Sequence, residues 1–301
     1  MPPSPSAPTR SHRPTAPLFV AGFAVAIWGL TPVATKVAVT AADPIVIGLL
    51  RMTLAGLVAW PALAFLRLAP PRTRPLLLLL AVSCLCGMIV FPLLFTVGQR
   101  LTSASHAALI LAAQPIFTGL VAAVVERRIP ARTWWLGSAV ALSGEFALVA
   151  GRTTDAGDAT LLGDAVVLLA GLIASAGYVA GGRLQQSGYS ALASTLWSVA
   201  AASLMLAPAL ATLTGIEDLL RMPMLTWLAM VHLALGSSLV AYAAWYWSLG
   251  VGGIGRIGLI QFFQSPTGVV AALLFLGEPL TVPLVLSGVA ILAGVVVAQR
   301  R

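Results

Sequence analysis

A chain of 301 residues that is 59% hydrophobic and only 9% charged, with a mean hydropathy of +0.98, is not built for water, since soluble domains carry about 25% charged residues. The net charge of +8 would suit a nucleic-acid binder, but the arginines are scattered singly over short gaps and form no continuous basic face. Basic loops held at an anionic cytoplasmic leaflet account for the excess, so a lipid bilayer is the expected partner and nucleic acid is not.

Residues 1–16 are Pro- and Ser-rich, contain Arg10 and Arg13, and read as a disordered cytoplasmic N-terminus. A cleavable signal is the weaker reading, because no convincing small-residue cleavage site follows. Apolar stretches then run at 18–38, 44–66, 76–98, 103–125, 133–151, 161–183, 190–212, 224–248, 254–276 and 281–299. Each comes close to the roughly 20 residues that cross about 30 Å of hydrocarbon. The predicted fold class is an all-α membrane protein of ten transmembrane helices. The gaps hold turn or charge signals (Ala42-Asp43-Pro44, Pro70-Pro71-Arg72, Arg152 to Gly157, Glu217-Asp218) and none can contain a globular domain. Any chemistry therefore sits between helices. Cys84 and Cys86 are two apart in an apolar stretch, on different helix faces, which fits neither a disulfide nor a metal pair. No metal or cofactor is expected.

With the N-terminus in the cytoplasm, the cytoplasmic gaps and ends carry Arg10, Arg13, Arg67, Arg72, Arg74, Arg127, Arg128, Arg132, Arg183, Arg256, Arg300 and Arg301. The opposite side carries Lys36, Arg100, Arg152 and Arg221. Acidic residues run the other way: Asp43, Asp155, Asp158, Asp164, Glu217, Asp218 and Glu278 fall outside, Glu126 inside. This is the positive-inside pattern, and it places both termini in the cytoplasm of a bacterial inner membrane.

The two halves also repeat. Trp28 and Lys36 match Ser175 and Arg183, and Pro115 matches Pro266, 151 residues later. Glu126 and Glu278 follow those prolines at similar distances, and Gly137 and Gly144 are echoed by Gly288 and Gly294. Five spans is an odd number, so the second half enters the membrane upside down. The expected domains are a first five-helix repeat at 17–151, a linker at 152–160 and a second repeat at 161–299. Inverted repeats are common in secondary transporters, with the substrate near the midplane between them.

Trp28-Gly29 with Lys36, Arg51, Pro115 with Glu126, and Gly277-Glu278-Pro279-Leu280 before the last span together resemble the EamA-type branch of the drug/metabolite transporter superfamily. The resemblance covers about residues 18–299. Within the branch the chain looks most similar to bacterial exporters of amino acids, aromatic ones especially. It implies two inverted five-helix repeats around a central cavity and export of small metabolites by alternating access. Ser175, where the first span has Trp28, departs from equivalence between the halves.

Charged groups within spans face protein or water. Arg51 is a candidate for binding a substrate carboxylate or for joining helices through backbone carbonyls. Glu145 could couple protons, pair with Arg51 or serve a helix end. Lys36 and Arg183 sit near span ends, where anchoring or gating is expected. The cavity candidates are Trp28, Phe91, Phe95, His106, Gln114, Tyr178, Tyr242, Tyr246, Gln261 and Gln264. His106, Ile110 and Gln114 share a helical face, as do Tyr242 and Tyr246. Helix packing competes with cavity lining at each position, and a hydrogen-bonded helix end competes with proton carriage at His106. Trp245 and Trp247 read as an interfacial belt, as do Trp134 and Trp135. Pro32, Pro115 and Pro266 remove backbone donors and are candidate hinges.

Aromatic walls with amides and hydroxyls suit a small zwitterion such as an amino acid. Cationic drugs are the alternative cargo. An intramembrane enzyme is disfavoured: there is no His-Glu-x-x-His and no pair of membrane aspartates, and Gly236-Ser237-Ser238 is only a loose echo of a hydrolase motif. A channel or scaffold fits the inverted repeat less well. A monomer or weak dimer is expected.

Overall fold

The computed structural model describes residues 15–127, 129, 131–150, 160–252 and 257–298. Residues 1–14 of the expected N-terminal tail, nearly all of the 152–160 linker and the side chains of Glu126 and Glu145 lie outside the described residues. Every regular element among the described residues is a helix. In chain order the long ones are α1 (Ala16–Ala41), α2 (Pro44–Phe65), α3 (Arg74–Arg100), α4 (Ala104–Val125), α5 (Arg132–Ala150), α6 (Leu161–Gln186), α7 (Ala191–Leu213), α8 (Met224–Gly252), α9 (Gln264–Leu276) and α10 (Val282–Ala298), with a short helix, Ile216–Leu220, between α7 and α8. Among the described residues seven helices, α1–α4 and α6–α8, are long and apolar enough to cross a membrane, and α9 and α10 are shorter apolar helices. The helices fall on the expected stretches with displaced ends. The largest departures are α8, which runs on to Gly252, and the ninth stretch, which opens as a 3₁₀ turn, Gly258–Phe263, before α9 begins.

Helix ends follow local chemistry. Asp43 accepts from the N–H groups of Ile45 (2.8 Å) and Val46 (3.3 Å), and Pro44 opens α2 where no donor is needed. Thr160 caps α6 through the Gly163 N–H at 3.0 Å. Arg67 closes α2 in the left-handed region at φ 51°, and the next N–H, of Leu68, returns to the Leu63 carbonyl at 3.2 Å.

Several helices are not regular throughout. Pro32 cannot supply the donor that the Trp28 carbonyl would receive in a regular helix, and α1 breaks at Leu30. A wider π-helical stretch occupies Ser83–Val90 in α3, and a second occupies His232–Val240 in α8. A tight 3₁₀ turn, Leu111–Ala113, sits inside α4 just before Gln114-Pro115, and the other, Gly258–Phe263, precedes Gln264 and Pro266. The wide and tight turns thus recur at corresponding places in the two halves, whereas α6 runs unbroken where α1 is interrupted.

Packing links the halves throughout. Helix α5 lies along α10, α2 along α7, α3 along α6 and α1 along α8, while α4 meets both α6 and α9. The main core gathers Trp28, Leu50, Met52, Met88, Tyr178, Met230 and Tyr242 with their aliphatic neighbours. A second core holds Phe91, Phe95, Ile110, Ala141, Val167 and Ile291.

The α5–α10 contact is the closest. A Cβ on Gly137 would stand 2.0 Å from the Ala298 amide nitrogen, and one on Gly294 would stand 2.2 Å from that of Ala141. Only hydrogen fits between two such backbones. Gly137→Ala is expected to destabilise the protein by about 1–3 kcal/mol, read as a lower unfolding midpoint in detergent. Gly22→Ala, where a Cβ meets nothing within 4 Å, should leave the midpoint unchanged.

Candidate functional site

Five aromatic side chains from α1, α6 and α8 meet in the middle of the bundle. The Trp28 ring lies 5.5 Å from that of Tyr178, 5.1 Å from Tyr242 and 5.5 Å from Trp245, and Tyr242 lies 5.6 Å from Tyr246. All five are buried. Offset and edge-to-face contacts at such distances are favourable. Trp28 Nε1 donates to the Ser237 carbonyl at 3.0 Å and Tyr242 donates to the Gly87 carbonyl at 3.2 Å, whereas Trp245 Nε1 is buried without a hydrogen-bond partner among the described residues. Tyr246 shares a 3.1 Å hydrogen bond with the Ser83 hydroxyl. Ser83 and Gly87 belong to the π-helical stretch of α3 and Ser237 to that of α8, so both wide turns present polar groups to the cluster. Such turns are rare and frequently sit at functional sites.

Arg51 of α2 stands beside the cluster, 1% exposed. Its Nε donates to Ser238 Oγ at 2.8 Å and its Nη2 to Ser237 Oγ at 2.9 Å. Ser237 Oγ also lies 3.1 Å from Thr31 Oγ1, which draws α1, α2 and α8 into one network. Ser238 returns its own proton to the Leu233 carbonyl at 2.8 Å, within the wide turn.

A third group lies where α4 and α9 restart after their tight turns. The Gln114 N–H bonds to the Leu111 carbonyl and the Gln264 N–H to that of Gln261, the short i→i−3 pattern. Gln261 Nε2 donates to Gln114 Oε1 at 3.1 Å. Ser175 Oγ lies 3.4 Å from the Gln114 carbonyl, and Ser265 donates to the Ala108 carbonyl. Gln264 is buried close by in sequence, with Oε1 lacking a partner.

One end of the bundle carries a polar lock. Lys36 Nζ donates to the Thr102 carbonyl at 2.9 Å. Asp164, 1% exposed in the first turn of α6, accepts from the Thr102 hydroxyl and lies 3.2 Å from His106 Nδ1. Glu278 of the second half accepts from the N–H groups of Ala104 (2.7 Å) and Ser105 (2.9 Å), which start α4 in the first half. A carboxylate there complements the helix dipole. Lys36, Ser103, Ser105, His106 and Glu278 line a cleft of about 310 Å³. At the other end, Tyr189 donates to the Ala69 carbonyl at 2.8 Å and Trp197 to that of Leu68 at 3.2 Å.

The chain matches the EamA-like transporter family twice, over residues 16–150 and 161–299. It belongs to that family. It is 28% identical over 272 residues to the uncharacterized transporter YdeK of Bacillus subtilis, spanning 89% of this chain and 91% of that protein. It is 27% identical over 281 residues to a Salmonella typhimurium protein named "Probable amino-acid metabolite efflux pump", spanning 92% of each. A solved crystal structure 19% identical in sequence shares the fold, with a TM-score of 0.63 over 95% of this chain and 98% of that one.

In this EamA-like transporter the structure gathers Trp28, Tyr178, Tyr242 and Tyr246 in one cluster, with Arg51 adjoining it. It pairs Gln114 with Gln261 as a second group. Phe91 and Phe95 stack at 5.4 Å but belong to the separate core against α4, α6 and α10. They directly follow the π-helical stretch of α3. His106 belongs to the lock at the bundle end. Lys36 sits there too, and Arg183 is partly buried in the last turn of α6. Pro32 and Pro115 are the second residues of restarted helical segments and Pro266 is the third.

Sequence reasoning missed Ser83, Asp164, Ser237 and Ser238. A signal existed: Ser83-Cys84-Leu85-Cys86-Gly87 and His232-Leu233-Ala234-Leu235-Gly236 both place a glycine fifth in the wide turn. The belt assignment of Trp245 is overturned, since the residue is 2% exposed within the cluster, against 37% for Trp247. Trp245→Ala is accordingly expected to cost about 3–5 kcal/mol of stability and Trp247→Ala no more than about 0.5 kcal/mol, both read from unfolding in detergent.

Proposed function

We propose that the protein is a secondary transporter of the bacterial inner membrane that exports amino acids, aromatic ones among them, by alternating access. In this reading all ten helices cross the bilayer, as two five-helix repeats inserted in opposite senses, and both termini are cytoplasmic. The observation that carries the proposal is the paired irregularity of the helices. Wide turns in α3 and α8, and tight turns before Gln114 and Gln264, occupy matching places in the two family copies. They direct hydroxyls, amides and rings into one buried seam between the repeats. Irregular backbone at membrane depth is tolerated only where protein or a cavity surrounds it, and transporters of this kind build their midplane sites from it.

Charge supports the orientation. The end where the α2–α3 and α6–α7 loops meet carries Arg67, Arg72, Arg74 and Arg183, and the lock at the other end contains Asp164 and Glu278. The amino-acid cargo follows from the aromatic and neutral polar lining, and agrees with the name of the Salmonella relative. A cationic drug is the poorer cargo, because Arg51 beside the cluster repels it.

The test is counterflow in proteoliposomes with a panel of labelled amino acids, at matched and unmatched pH. Saturable, trans-stimulated flux is expected, and flux that rises linearly without exchange would point to a channel. Tyr242→Ala and Gln261→Ala should each lower the rate at least about tenfold with normal membrane insertion; wild-type rates in both would remove this seam as the pathway. With Cys84 and Cys86 replaced, single cysteines at the two chain ends should both react from the cytoplasmic side. Labelling from opposite sides would end the inverted arrangement.

A further inference from the structure

Arg51 is a cation sealed inside the bundle, and its bonded partners among the described residues are neutral. It is 1% exposed, and among the described residues no carboxylate forms an ion pair with it. Its two bonded nitrogens reach only the neutral hydroxyls of Ser237 and Ser238. Its third nitrogen, Nη1, is buried with no hydrogen-bond partner. A buried charge is ordinarily paired, because neutral donors and acceptors satisfy its hydrogen bonds without offsetting its desolvation. A guanidinium is also a planar fork suited to a carboxylate, which it can grip through two parallel N–H groups.

The surroundings indicate what the missing anion belongs to. Ser237, which takes one Arg51 nitrogen, also accepts the Trp28 indole N–H through its carbonyl. The phenols of Tyr242 and Tyr178 are the electrostatic neighbours of the guanidinium. A ligand whose acid group reached Nη1 would therefore lay its remaining atoms against Trp28, Tyr178 and Tyr242. An α-amino acid with an apolar or aromatic side chain has that shape.

We propose that Arg51 is the carboxylate-recognising residue of the transport site, with Nη1 as the donor held open for the substrate. The serines are its resting partners. Because Ser237 and Ser238 lie in the wide turn of α8 and Ser237 touches Thr31 of α1, a carboxylate that draws the guanidinium away loosens the α1–α2–α8 network. Arrival of substrate is thereby linked to movement of those helices. The assignment rests on the amino-acid reading above.

The test measures thermal stabilisation of the purified, detergent-solubilised protein by phenylalanine and by phenylalaninamide, which lacks the carboxylate. The wild type should half-saturate with phenylalanine at a concentration at least tenfold below that for the amide. Arg51→Gln should bring this ratio close to one, by weakening phenylalanine and by relieving the repulsion of the cationic amide. Arg51→Lys keeps a cation, guards against a folding failure of the neutral variant, and should lower the ratio at least threefold while leaving it above one. A purely structural arginine predicts something else: both ligands weaken together and the ratio stays at its wild-type value in both variants. That result, or a wild type that binds the two ligands equally well, overturns the assignment and leaves amino-acid binding standing. A wild type that binds neither removes the amino-acid reading itself, and the assignment with it.

Discussion

A helix in hydrocarbon has no water to complete its backbone hydrogen bonds, so each departure from the regular i→i−4 ladder has to be made good by a neighbour. That requirement orders the interior of this protein. Carbonyls in or beside the irregular stretches are taken up by specific side chains: Gly87 by Tyr242, Ser237 by Trp28, Leu233 by Ser238 and Ala108 by Ser265. In each case the donor is also one of the buried groups of the seam. The polar and aromatic residues that give the site its chemistry therefore also permit the backbone to be irregular there. Site and irregular helix are two descriptions of one arrangement.

The lock at the bundle end extends the same logic to helix ends. The start of α4 receives the carboxylate of Glu278, from the other family copy. The start of α6 buries Asp164 against Thr102 and His106 of the first copy. Each half thus supplies a helix end in the other with charge or hydrogen bonds, and the two copies are joined through polar contacts at the bundle end as well as through the apolar cores. A small shift between the halves exchanges several directional contacts together, a behaviour closer to a switch than to gradual bending.

The long apolar helices were legible because lipid demands long apolar runs, and among the described residues seven of them are long and apolar enough to cross. Trp28, Tyr178, Tyr242 and Tyr246 were legible because rings with polar tips stand out among Ala, Leu and Val. Where the reading went astray, it did so at points where the helix leaves its ordinary pitch. Phe91 and Phe95 follow the wide turn at Ser83–Val90 and pack in the second core, apart from the Trp28 cluster. His106 and Gln114 are separated by the tight turn at Leu111–Ala113, and their side chains bond to different helices, α6 and the segment before α9. Trp245 was assigned to the interface because α8 was ended at 248; four further residues of helix put it about a turn deeper. Asp164 was counted only among the acidic residues of one side; its burial against Thr102 and His106 depends on how α6 meets another helix, which no periodicity shows. Ser237 and Ser238 are small and polar, with no periodic signature, so they were noticed only as a loose echo of a hydrolase motif and not as partners of Arg51.

The glycine contact between α5 and α10 bears on how such a molecule could rearrange. Backbone atoms already occupy the places where methyl groups would go, so neither helix can slide or roll past the other without collision. The pair is therefore a fixed post. Whatever opens and shuts elsewhere has to swing about it, and the freedom for that lies with the segmented rods α1, α3, α4 and α8, each of which carries its own joint near mid-length.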